Sequence, residues 1–140
     1  MNPEHLRLAG DYGLAVDDGG DVPALRAAGD GPIVVVNFFA LHETARYEDG
    51  PPCSGVEAML RYSAVSGDRL AAHGGRFVAQ ALSAGTVWGA DDDWDIVVVA
   101  RYPGVDAFWA LLADPGYQEA FVHRRAAVAR QRVTVGAALD

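Results

Sequence analysis

The chain contains no lysine, and all 11 of its basic residues are arginine. Lysine Schiff-base chemistry and a lysine general base are therefore excluded. Cys53 is the single cysteine, so neither an internal disulfide nor a multi-cysteine metal site can form. The four histidines are scattered, and His42-Glu43 does not extend to the two-histidine helical zinc motif; no metal is expected. No apolar run approaches the roughly twenty residues that span a bilayer. The opening stretch, MNPEHLRLAGDYGLAVDD, is acidic and lacks the basic-then-apolar layout of a signal peptide, so a cytoplasmic protein without membrane contact is expected. A formal net charge of −8 argues against nucleic acid, whose phosphates require a positive surface. Neither a phosphate-binding loop nor a dinucleotide fingerprint is present.

What is present reads as one globular domain of ordinary hydrophobic content behind a weakly patterned arm. Residues 1–30 form the arm, with one possible short helix: Pro23 suits a first turn and Gly29 a stop. Residues 31–140 form the domain. PIVVVNFFAL (32–41) is β-branched and aromatic, a strong strand. A turn-rich loop of about a dozen residues follows, of the kind that often carries function. Ser54 and Glu57 make a capping box for a helix over 55–72, with Val56, Met59, Leu60, Ser63, Gly67, Leu70 and Ala71 on one face. RFVAQALSAGTVWG (76–89) predicts a second strand, and Trp94 to Tyr102 a third. A helix from Val105 is interrupted near Asp114 and runs on to about Ala129. QRVTV (131–135) predicts a short fourth strand.

The order β-α-β-β-α-β is the ferredoxin-like plan of the α+β class. Its four-stranded antiparallel sheet has spatial order 4-1-3-2, with two helices on one face. Strands 1 and 3 are then central, and they carry the unbroken apolar runs IVVV and IVVVA. Two helices cover only one face, and an antiparallel sheet with one wet face should alternate apolar and polar. The second face must be buried too, because soluble monomers do not expose so large an apolar patch. A homodimer with sheets face to face is the expected solution.

PIVVVNFF, SGVEAMLRYSAVSGDRLAAHGGRF, WDIVVVARYP and ADPGYQEAFVHRRAAVARQRV together resemble an uncharacterised bacterial family of the dimeric α/β-barrel superfamily, over about residues 31–136. The resemblance implies the fold, the dimer and a cavity in each subunit. Relatives in the wider superfamily include cofactor-free monooxygenases, polyketide cyclases, muconolactone isomerases and haem enzymes, so the fold permits many chemistries and selects none.

Chain direction gathers polar and titratable residues at one pole: His42 and Tyr47 after strand 1, Trp94 and Asp95 opening strand 3, His123 and Arg124 late in the last helix. The resemblance places His123-Arg124 among the family's signature residues. His42, His123 and Asp95 are the candidate proton-transfer residues. Against them stand a solvated histidine past a strand end, an off-stripe helical histidine and a turn-capping aspartate. Asn37, the one polar residue in an apolar strand, must find partners in a core or a pocket. Asn37, Tyr62, Trp94, Arg124 and Tyr47 are the candidate substrate-binding residues. The expectation is a small cofactor-independent enzyme performing acid–base chemistry, of cyclase, isomerase or lyase type, on an apolar aromatic or polyketide-like molecule. The alternatives are a cofactor-free monooxygenase and a non-catalytic ligand-binding or structural dimer; haem, with His123 as ligand, is a minor alternative.

Overall fold

The computed structural model describes residues 2–139. Two short helices lead: α1 (Pro3–Tyr12) and α2 (Pro23–Ala27). Then follow β1 (Ile33–Leu41), α3 (Gly55–Ala72), β2 (Arg76–Leu82), β3 (Ile96–Tyr102), α4 (Val105–Ala113), α5 (Pro115–Ala127) and β4 (Val128–Ala137). The sheet is antiparallel, in the order β2-β3-β1-β4. This is the α+β ferredoxin-like plan, with the two apolar strands in the middle.

The first strand and the first long helix lie where the sequence places them. Ser54 Oγ accepts the Glu57 N–H at 3.0 Å, and Gly74 leaves α3 at φ 84°. Three elements differ from the reading. Asn2 caps α1 through its side chain and Gly13 ends it in the left-handed region, local signals that carry a helix without a strong apolar pattern. The second strand stops at Leu82, and 83–95 is loop: with Gly85 and Gly89 at positive φ, the chain there leaves the ladder. The last helix ends at Ala127, and β4 takes ten residues. Its pairing with β1 along that strand's whole length overrides the helical pattern of VARQ.

Alternate residues of β1 divide the sheet's faces. Ile33, Val35 and Phe39 are buried beneath the helices, joined there by Ala100 and Tyr102 of β3. On the opposite face Val36 lies across from Val99 and Phe38 from Val97, all only half-buried. Trp94 lies there too, its ring tilted against Phe38 at 5.8 Å, with Arg130 over its ring at 4.2 Å.

Asp114 joins the two helices of the broken pair to α3. Its Oδ1 caps α5 by accepting the Tyr117 N–H at 3.0 Å. Its Oδ2 lies 2.9 Å from His73 Nε2 and 3.7 Å from Arg69. Burial alone would raise its pKa, but His73, the Tyr117 N–H and Arg69 outweigh burial and hold it below 3.8. A lowered carboxylate pKa stabilises the fold above the unfolded-state value, and that contribution disappears as pH falls through the folded one. Asp114→Ala is expected to cost about 1–2 kcal/mol by urea unfolding at pH 7. The difference from wild type should shrink below pH 4; a constant difference down to pH 2 would contradict the capping role.

Candidate functional site

The helices do not close tightly on the sheet. Between α3 and the β1-β3-β2 side lies a hollow of about 600 Å³, walled by Phe39, Met59, Leu70, Phe77 and Val98 among others. Small residues on the inner side of α3 leave this space: Ser63, Ser66 and Gly67 all line it. Val56 and Leu60, read as core, are 58% and 64% exposed, and they line the hollow themselves instead of packing into a closed core. The inward stripe of α3 is instead Ala58, Met59, Tyr62, Ser66 and Leu70. A second hollow of about 340 Å³ lies on the β4 side, roofed by the N-terminal arm through Tyr12, Leu14, Val22 and Leu25.

Asn37, Tyr102, Leu111, Tyr117 and Arg124 line both hollows and form the wall between them. Arg124 is its centre. Although only 8% exposed, it meets no carboxylate among the described residues. Its Nη1 donates to the Tyr62 hydroxyl at 3.2 Å and reaches the Tyr117 hydroxyl at 3.5 Å. Those two hydroxyls are 2.7 Å apart. The guanidinium also lies over the Phe39 and Phe121 rings, at 4.7 and 4.9 Å. Burial opposes its charge, yet Tyr62 and Tyr117 outweigh burial and its pKa lies above the ordinary value. Burial pushes the Tyr117 hydroxyl well up, and that of Tyr102 likewise. Both phenols therefore stay protonated at neutral pH and can donate. Asn37 gives one amide N–H to the Val98 carbonyl at 3.2 Å, the backbone bond that a buried amide needs. The rest of that amide is uncommitted among the described residues.

The arrangement suits an apolar molecule carrying one negative oxygen. A cation, two phenolic O–H groups and an amide converge on one wall of an apolar room. Aromatic faces and neutral oxygens surround the buried guanidinium, and a bound anion would add the opposite charge that this shell lacks.

Three of the predicted residues thus meet here: Asn37, Tyr62 and Arg124. The others line neither hollow. His123 Nδ1 shares a 2.6 Å hydrogen bond with the Tyr47 hydroxyl, and Arg61 lies over the Tyr47 ring. Asp95 Oδ2 accepts the Leu41 N–H at 2.7 Å, fastening the start of β3 to the end of β1. The His42 backbone N–H donates to Ala127 at 2.9 Å. Trp94 lies against Phe38, on the sheet face away from the helices. Tyr117 and Tyr102 were not among the candidates. Tyr117 reads as part of the α5 apolar stripe, and only the depth of that stripe makes its hydroxyl a site group. No group of three or more His, Cys, Asp or Glu able to hold a metal occurs among the described residues, and none of their helices is long and apolar enough to cross a membrane.

Comparison with solved structures returns the same fold. The methylated RPA0582 protein is 36% identical, with a TM-score of 0.78 over 91% of this chain and 96% of that one. Another structure of RPA0582, a protein of unknown function from Rhodopseudomonas palustris, is 32% identical over 91% and 97%, also at 0.78. SnoaB from Streptomyces nogalater, a cofactor-independent oxygenase, is 22% identical over 79% and 95%, with a TM-score of 0.52. That level of identity supports the fold alone. No curated protein matches the chain. Residues 54–138, from the capping box of α3 through β4, match the family described as a domain of unknown function (DUF1330). The chain belongs to that family, uncharacterised and ferredoxin-like in fold.

Proposed function

We propose that the protein is a small cofactor-independent enzyme that binds an apolar aromatic or polyketide-like molecule in the larger hollow and stabilises it as an oxyanion. The observation that carries this reading is the buried Arg124, facing two tyrosine hydroxyls instead of a carboxylate. A phenol, or a carbonyl with an acidic neighbouring carbon, loses a proton more readily when its anion is held by preorganised donors. Reprotonation at another carbon is isomerisation, attack on a second carbonyl is cyclisation, and loss of a leaving group is elimination. Oxygen insertion into the same anion is the nearest rival chemistry. His42, His123 and Asp95 remain the proton-transfer candidates, and each would act from the pole.

A non-catalytic binding function is the second reading. It is favoured by one observation: neither hollow is lined by His, Asp or Glu among the described residues. A coloured phenol separates holding from not holding an anion. Bound 4-nitrophenol should titrate at least one unit lower than free, about 1.4 kcal/mol of selective anion binding, and Tyr62→Phe should lose part of that shift. An unshifted titration would defeat the oxyanion reading; a shift without turnover of any phenol or β-dicarbonyl substrate would favour binding alone.

The same reading places two copies sheet to sheet. Val36, Phe38, Val97 and Val99 make a half-buried apolar strip across the two central strands, and a second copy of that strip covers it most economically. Native mass spectrometry is expected to give a dimer for wild type and a monomer for Val99→Asp. A monomeric wild type would overturn the pairing.

A further inference from the structure

Arg124 presents different edges to the two hollows. Nη1 faces the tyrosine hydroxyls described above. Nε and Nη2 form the fork edge, which meets a carboxylate with two parallel hydrogen bonds. That fork is held by one neutral oxygen: Oε1 of Gln131, 3.3 Å from Nε and 2.9 Å from Nη2. Gln131 lines the arm-roofed hollow and not the larger one, and it is exposed. Its amide can swing into water and surrender the fork.

The space beside that fork is suited to a ligand. It measures about 340 Å³, within the range of small-molecule sites, and Leu25, Phe108, Phe121 and Val135 are among its walls. Tyr12, pushed up to about 12 by burial, keeps its proton and donates it to the Leu112 carbonyl at 2.8 Å. Arg124 is therefore the one charge bordering this hollow among the described residues. A neutral amide oxygen on the fork satisfies the hydrogen bonds without neutralising the charge, and a carboxylate would do both.

We propose that the arm-roofed hollow is a second ligand site, taking a small apolar monocarboxylate whose carboxylate displaces the Gln131 amide from the Nε/Nη2 fork of Arg124. The site shares its guanidinium with the larger hollow but not its room. Its roof is the N-terminal arm, which lies outside the family match at residues 54–138, so Tyr12, Leu14 and Leu25 add their own constraint on ligand shape to the walls and the fork that the matched portion supplies.

Fluorescence titration of full-length protein with 1-naphthoate tests this directly. Gln131→Glu places a competing carboxylate on the fork and should weaken binding at least tenfold, whereas Gln131→Ala should bind within threefold of wild type or tighter. Val133→Trp, opposite Asn37 in the ladder, fills the arm-roofed hollow and should also cost at least tenfold. Gln80→Trp, opposite Val98, fills the larger hollow and should leave naphthoate binding unchanged. All three positions are exposed, so folding is kept, and circular dichroism confirms it. Loss in Gln80→Trp with retention in Gln131→Glu and Val133→Trp would put naphthoate in the larger hollow; that overturns the second site while supporting the oxyanion reading. No saturable binding by wild type overturns the second site outright.

Discussion

Arg124→Met is expected to leave the protein folded within about 1 kcal/mol of wild-type stability while weakening anionic ligands about a hundredfold, ~2.7 kcal/mol. The two halves of this result come from the same geometry. Removing a partner from a buried charge pair leaves the other charge stranded, but Arg124 has no carboxylate to strand. Tyr62 and Tyr117 keep their 2.7 Å hydrogen bond to each other, and the exposed Gln131 turns to water. Methionine matches much of the length of the arginine stem and retains contact with Phe39 and Phe121. The lost cation–π attraction, about 1–2 kcal/mol for a desolvated pair, is offset by relief from burying a charge. A purely structural arginine would behave in the opposite way, with urea unfolding showing a loss of several kcal/mol. Thermal and urea denaturation measure one half, and 4-nitrophenol or naphthoate titration the other. Large destabilisation with unchanged ligand binding would remove Arg124 from the site.

That test falls on a residue whose importance was only partly legible from sequence. Arg124 stood among the candidates because chain direction brings the end of the last helix to the polar pole. Nothing in YQEAFVHRRAAV tells that the first arginine of the pair turns inward and the second outward. The structure settles it through the α5 stripe of Tyr117, Ala120, Phe121 and Arg124, three- and four-residue steps that carry a cation as their fourth member. The two central strands were legible because the unbroken apolar runs IVVVNF and IVVVA fit the middle of the sheet rather than an edge. The α3 helix was legible because its cap is local chemistry between Ser54 and Glu57. His123 and Asp95 show the opposite case: direction predicts the pole, yet the hydrogen bonds that occupy them, to Tyr47 and to the Leu41 N–H, are long-range pairings without a sequence signature. The second hollow was equally invisible, because its roof is an arm whose segments join the core through isolated residues such as Leu8 and Leu25 rather than a periodic face.

Gly55 marks the same limit at the opposite end of the site, and Gly55→Ala should be among the most damaging single-methyl additions to this chain. In sequence Gly55 is an unremarkable first residue of a helix, where alanine would ordinarily be neutral or helpful. In the fold, the loop from His42 to Ser54 turns back so closely that a Cβ on Gly55 would overlap the His42 carbonyl oxygen and lie 3.0 Å from its carbon. Both obstacles are backbone, and neither can rotate aside. The backbone is pinned on both sides: the Gly55 N–H donates to the Glu43 carbonyl at 3.2 Å, the His42 N–H to Ala127 at 2.9 Å, and the Ala45 N–H to Cys53 at 2.9 Å. Relief requires the start of α3 to move away from the end of β1, breaking those bonds and shifting Met59 and Tyr62, one and two turns along. Overpacking against rigid backbone costs about 2–3 kcal/mol, read as a lower urea midpoint with unchanged slope. Because α3 carries Tyr62 into the hollow, the variant should also lose part of the 4-nitrophenol titration shift even where it is fully folded. Wild-type stability in Gly55→Ala would mean that the loop has slack, and the His42–Ser54 segment would then be a movable cover rather than a fixed support for the site.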